Sequence, residues 1–92
     1  MELNSVSPEE FDAGIKAGMG GFCLMGSGGD TKYIWDPQDA TEVDIAERSF
    51  NELVGKGYLA FRVDDEGEKA ERMDKFEAKS GRVILTKPPI GG

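Results

Sequence analysis

The chain carries two consecutive glycines, Gly91 and Gly92, at its carboxyl end. A carboxylate on residues without side chains can thread a narrow channel and meets no steric hindrance at its carbonyl. Such a carboxylate can be activated by adenylation, passed to a cysteine as a thioester and transferred to a lysine amine. The diglycine therefore predicts a conjugation site at Gly91 and Gly92.

Residues for other kinds of chemistry are scarce. The chain has no histidine, so the commonest general acid-base group and the commonest metal ligand are missing, along with any Ser-His or Cys-His pair. The single cysteine, Cys23, lies in an apolar run where burial would raise its pKa, and it has no Cys-x-x-Cys partner. The carboxylates are spread over predicted helix faces. We expect a protein that is not an enzyme, with no catalytic residue, cofactor or metal.

Two loops match known binding motifs only in part. Residues 26–32 are rich in glycine, but a phosphate-binding loop places its lysine at the start of a helix, and here a strand is predicted to follow. Residues 64–68 are acidic like a calcium loop, but position 73, where an EF-hand needs glutamate, is Met73. The two segments are predicted to be a hairpin turn and a solvated acidic turn.

Composition limits the architecture and the partners. The chain has 92 residues and a net charge of −7, which fits one small acidic domain with a single core. Only 11 side chains are basic, so a nucleic-acid partner is not expected. No apolar run approaches about 18 residues, and the amino end does not resemble a signal peptide. We expect a cytoplasmic protein that binds other proteins and does not bind membranes.

The local patterns predict two helices. Ser7, Pro8 and Glu10 have the spacing of an N-cap, a first-turn proline and a capping box, and this helix should end by Ala17. A longer helix is predicted at about residues 40–54, with Asp39 as its N-cap and one apolar stripe.

The remaining patterns favour strands. A β-hairpin is predicted over residues 22–35, and a final strand over residues 82–86. In the strand after the long helix, Leu59, Phe61 and Val63 alternate onto one face, which is predicted to be the buried one. Residues 68–79 fit either a helix or a strand, with the strand favoured.

Three aromatic side chains could form a possible interaction surface, namely Tyr33, Trp35 and Tyr58. Exposed aromatics are common anchors in protein interfaces. Core packing is the alternative, and the sequence favours it because a small domain needs its large side chains inside.

The order of elements, together with Gly91 and Gly92, resembles the β-grasp architecture of ubiquitin and ubiquitin-like modifiers. The resemblance covers roughly residues 20–92 and implies an α+β fold, in which a small mixed sheet packs on one main helix in the order ββαβ(β)β. A short N-terminal helix precedes it. The expected organisation is an N-terminal arm with that short helix over 1–19, a single α+β domain over 20–87 and an extended tail over 88–92.

The resemblance implies a protein modifier or carrier that acts through its C-terminal glycine carboxylate, with an activating enzyme among its partners. The alternative is a non-enzymatic interaction or assembly subunit, for example of a bacterial or phage particle, that uses an exposed sheet edge or an aromatic surface and either self-associates or forms a stable complex. A third possibility is an acidic inhibitor, suggested by the net charge.

Overall fold

The computed structural model describes residues 3, 5–26, 29–64 and 70–87, which form two helices and six strands. In chain order the elements are β1 (Ser5–Val6), α1 (Pro8–Lys16), β2 (Gly20–Gly26), β3 (Gly29–Trp35), α2 (Ala40–Gly55), β4 (Leu59–Val63), β5 (Ala70–Met73) and β6 (Arg82–Thr86). The predicted α+β class is confirmed, as are the hairpin and the final strand.

The six strands form one mixed sheet in the order β1-β3-β2-β6-β4-β5. All neighbouring strands are antiparallel except β2 and β6, which run parallel, with Phe22 beside Val83 and Leu24 beside Leu85. The last strand thus lies in the middle of the sheet, between the first strand of the hairpin and β4.

Both helices begin at the residues that the sequence indicates. The Ser7 Oγ accepts a hydrogen bond from the Glu10 amide, and the Glu10 carboxylate accepts one from the Ser7 amide, both at 3.2 Å. The Asp39 carboxylate accepts from the amides of Thr41 and Glu42. These bonds satisfy amides that have no partner within a helix, so the capping predictions are confirmed.

An aromatic cluster fills the space between α2 and the sheet. The rings of Phe22 and Trp35 lie 4.6 Å apart between centroids, and Phe50 of α2 stacks on Phe22 at 6.4 Å. Phe76, from the loop after β5, contacts all three rings. The cluster therefore joins the hairpin, the helix and the distal loop in one core.

Trp35 fits into the sheet because its cross-strand neighbour is a glycine. Gly20 pairs directly with Trp35, and a Cβ at position 20 would overlap the indole ring. The indole nitrogen donates a hydrogen bond to the Ala78 carbonyl at 3.0 Å. The tryptophan thus fixes both the hairpin and the loop that leads to β6.

The N-terminal segment packs on the domain. Helix α1 lies on the sheet face opposite α2, where Phe11 is buried against Gly21. Arg82 of β6 bonds to Asp12 at 3.1 Å and lies over the Phe11 ring. The sequence analysis did not predict β1, since a two-residue strand is too short to show an alternating pattern.

The buried face of β4 is the one that the sequence did not indicate. Ala60 is 1% exposed and faces α2, whereas Leu59, Phe61 and Val63 are half-buried on the opposite face. The predicted alternation is present, but the prediction that Leu59, Phe61 and Val63 form the buried face is wrong. Alternation in a strand does not show which face a helix will cover, and here it is Ala60 that joins Ala46 and Phe50 of α2 in the core.

The ambiguous segment 68–79 contains a strand, β5, as favoured. Arg62 of β4 bonds to Glu71 of β5 at 2.8 Å and to Glu77 at 3.3 Å. Met73 is the one buried residue of β5, and the strand ends where Phe76 turns into the core.

The Gly20–Trp35 contact leads to a stability prediction. Gly20→Ala should destabilise the fold by about 2–3 kcal/mol, because the indole must move out of a packed core. Gly55→Ala is a matched control, since a Cβ there meets nothing within 4 Å and alanine favours helix by about 1 kcal/mol. Urea unfolding followed by far-UV circular dichroism measures both variants. Equal stability of the two would contradict this account of the core.

Candidate functional site

The predicted conjugation residues, Gly91 and Gly92, lie outside the described residues. The described chain ends at Lys87, directly after β6. The Lys87 ammonium lies 5.9 Å from the centroid of the Tyr58 ring, a distance at which a cation is attracted to the ring face. The structure therefore defines where the segment that leads to the diglycine leaves the sheet.

That exit point is firmly held. Strand β6 is bonded to β2 on one side and to β4 on the other, and its Val83 and Leu85 side chains are both 0% exposed. A central strand with two complete ladders is among the last parts of a domain to open. The segment before the tail is thus anchored to the core.

The three predicted surface aromatics do not form one site. Trp35 is 0% exposed, and its indole N–H is satisfied by Ala78, so it belongs to the core and offers no surface to a partner. Tyr33 and Tyr58 are half-buried at the margin of the core. Tyr33 lies on β3 and Tyr58 directly precedes β4, and β2 and β6 lie between these two strands, so the two tyrosines cannot anchor a single small contact.

Tyr33 borders a groove between α2 and the hairpin. The groove has a volume of about 430 Å³ and is lined by Leu3, Phe22, Leu24, Tyr33, Arg48, Ser49, Glu52 and Leu53. Arg48 pairs with Asp44 at 3.1 Å and is 80% exposed. The groove combines an apolar floor with a charged rim on α2. Such a lining suits the packing of a partner's side chain more than it suits catalysis.

A second, polar cleft of about 300 Å³ lies where β4 ends and β6 begins. The Ser80 hydroxyl and the Arg82 Nε line this cleft, and neither has a hydrogen-bond partner among the described residues. Arg62 also lines the cleft and is already paired with two carboxylates. The cleft can therefore accept a polar group, but it has no excess of charge that would favour an ion.

The only cysteine lies in the sheet rather than in a pocket. Cys23 is 9% exposed on β2, directly opposite Lys32 of β3. Burial raises the pKa of the Cys23 thiol, and the nearby Lys32 ammonium opposes part of that shift. A buried thiol with a raised pKa is a poor nucleophile at neutral pH.

The described residues offer neither a metal site nor a membrane-spanning helix. Residues 3, 5–26, 29–64 and 70–87 contain no cluster of three or more His, Cys, Asp or Glu side chains that could hold a metal ion. Neither α1 nor α2 is long and apolar enough to cross a bilayer. In the glycine-rich segment 26–32, Gly26 ends β2, Gly29 begins β3 and Lys32 lies within β3. The hairpin turn predicted between these strands falls on residues 27 and 28, which lie outside the described residues. The acidic segment 64–68 lies outside the described residues from position 65 onward.

The sequence analysis missed the partly open sheet face. Helix α1 covers β2 and β3, while Phe61, Val63 and Ile84 on the same face remain half-buried. The alternation of β4 places Phe61 and Val63 on one face of the sheet. The position of α2 on the other face is needed to show that this face is the less covered one.

Comparison with known proteins adds no relative. No protein family, no curated protein and no solved structure matches the chain significantly.

The environment of Cys23 makes a testable prediction. In the folded chain the thiol should react with iodoacetamide more slowly than in urea, and its rate should rise with pH at a higher midpoint, since burial disfavours the thiolate. The raised pKa also means that stability is intact below the unfolded-state pKa and falls as pH rises toward the folded-state value. Intact-mass measurement of the alkylated chain over a range of pH gives the reaction rates in the folded state and in urea. Equal midpoints with and without urea would contradict the assignment.

Proposed function

We propose that this protein is a ubiquitin-like modifier or carrier that acts through the carboxylate of Gly92. We propose also that its fold is of the β-grasp type. One observation carries both proposals, namely that β6, the strand that leads to the diglycine, lies at the centre of the sheet.

The path of the chain supports the β-grasp assignment. A hairpin, β2–β3, is followed by α2 across one face of the sheet, then by β4 and β5 at the far edge. The chain then returns to the middle, where β6 runs parallel to β2. This element order is the one that resembles the β-grasp architecture, and one face of the sheet packs on a single long helix.

The burial of β6 supports a role as an attached handle. If the carboxylate of Gly92 is bonded to another protein, any force on that bond reaches the domain through β6. Two ladders and the fully buried Val83 and Leu85 resist that force. Five residues, 88–92, follow Lys87, and an extended segment of that length reaches at most about 18 Å. That reach is long enough to enter a partner's active site while the domain stays outside.

The proposed reaction has three steps. The Gly92 carboxylate attacks the α-phosphorus of a nucleoside triphosphate, which forms an acyl adenylate and releases pyrophosphate. A cysteine thiolate of an activating enzyme then displaces the nucleotide monophosphate to form a thioester. A lysine amine of the target attacks the thioester, forms an amide and releases the thiol. A carrier would deliver the same activated carboxyl group to another acceptor.

In this scheme the catalytic groups come from the partners. The chain lacks histidine, and its one thiol is buried in β2. Its contribution is a reactive carboxylate without a side chain and a surface for recognition.

A mass-spectrometric experiment tests the proposal. Trypsin cleaves after Arg82 but not readily between Lys87 and Pro88, because proline follows the lysine. Conjugates made in the native host should therefore leave a branch of ten residues, 83–92, on a lysine of the target. The full chain, tagged at its amino end, is purified under denaturing conditions and its digest is searched for this branch.

Deletion of Gly92 should abolish every branched peptide and leave the unfolding midpoint unchanged, because the described core residues lie between Phe11 and Leu85. The matched control is Gly55→Ala, which should keep the branches. A mature protein whose mass extends beyond Gly92, or branches that persist in the deletion variant, would overturn the proposal.

A further inference from the structure

The outer edge of β3 is only partly covered. Strand β1 pairs with it at two positions, Ser5 opposite Tyr33 and Val6 opposite Lys32. Within the described residues, Gly29, Asp30 and Thr31 have a strand partner on the β2 side alone. A row of free amides and carbonyls at a sheet edge is a template for another strand.

The charges on this edge are arranged symmetrically about Thr31. Asp30 and Lys32 flank it and point to the same face, because side chains two residues apart in a strand share a face. The Asp30 carboxylate and the Lys32 ammonium are 3.6 Å apart, with side chains 42% and 20% exposed. An acid and a base at equal distances from one residue form a self-complementary pattern.

We infer that β3 is a site of self-association, where a second copy of this chain pairs β3 against β3 in antiparallel fashion about a two-fold axis at Thr31. In that register Asp30 lies opposite Lys32 of the other copy, and this pair occurs twice. Opposite charges placed directly across two strands stabilise their pairing. Tyr33 lies opposite Gly29 of the other copy, where an aromatic ring covers a glycine. A surface that matches itself in this way is what a two-fold dimer requires.

The charges select this register over its neighbours. Directly opposed side chains of antiparallel strands lie on the same face, so the axis must pass through a residue and not between two. An axis at Asp30 places two carboxylates opposite each other, and an axis at Lys32 places two ammonium groups opposite each other. Thr31 is the centre at which opposite charges meet.

The N-terminal strand competes with the second copy. Pairing about Thr31 needs the edge at Lys32 and Tyr33, which β1 occupies. Leu3 holds the segment that carries β1 (hereafter the β1 arm) in place by packing at the groove beside Tyr33. Two paired residues and one apolar side chain are a small contact. We therefore expect the β1 arm to detach from β3 and the dimer to form in its place. This inference does not depend on Gly91 and Gly92.

The test uses full-length variants in sedimentation velocity over a range of concentrations, with circular dichroism to verify folding. Leu3→Asp should release the arm and raise the dimer fraction relative to the natural chain. The matched control is Val54→Asp, which alters an apolar residue of α2 that is 37% exposed and should leave the dimer fraction unchanged. Ser5→Pro, which removes an amide from β1, is a second way to release the arm.

Charge reversal then tests the register. In the Leu3→Asp chain, Asp30→Lys should weaken dimerisation by about tenfold, because like charges then oppose each other twice. Adding Lys32→Asp exchanges both charges and should restore the affinity. Arm-release variants that stay monomeric at every concentration would overturn the inference. A dimer that is insensitive to Asp30→Lys, or that the double exchange fails to restore, would overturn it too.

Discussion

The close contact between the Trp35 indole and the backbone at Gly20 determines how the rest of the domain is arranged. Because no side chain occupies position 20, the indole lies flat against β2 and meets the rings of Phe22 and Phe76. Its N–H also holds the Ala78 carbonyl. A single side chain therefore connects the hairpin to the loop before β6, and Phe50 of α2 closes the same cluster. The contact therefore helps to hold the loop that leads into β6 against the hairpin.

The central position of β6 links this core to the proposed function. Its Val83 and Leu85 side chains fill the space under α2, and its backbone bonds to β2 and β4. The chain after Lys87 is therefore joined to a central strand of the sheet. In the proposed function, a bond made at Gly92 would be held to the domain through this strand.

The two sheet faces and the two sheet edges differ in how they are covered. Helix α2 closes one face, whereas α1 closes only the hairpin side of the other. At one edge of the sheet, β3 carries an acid and a base, Asp30 and Lys32, that favour self-pairing about Thr31. The short β1 strand covers part of β3. Such partial covering is a common way for a protein to restrain an edge without abolishing it.

The features that depend on neighbouring residues can be predicted from the sequence. The caps at Ser7 and Asp39, both helices, the hairpin and the final strand follow from local hydrogen bonding and periodicity. Three features follow from long-range packing alone: Ala60 and not Phe61 faces α2, Trp35 is more deeply buried than Tyr33 and Tyr58, and β1 joins the sheet. These outcomes depend on contacts between residues far apart in the chain, such as Trp35 with Gly20 and Ala78. Local pattern cannot encode which surface a distant element will cover, because that choice is made by the packing of the whole core.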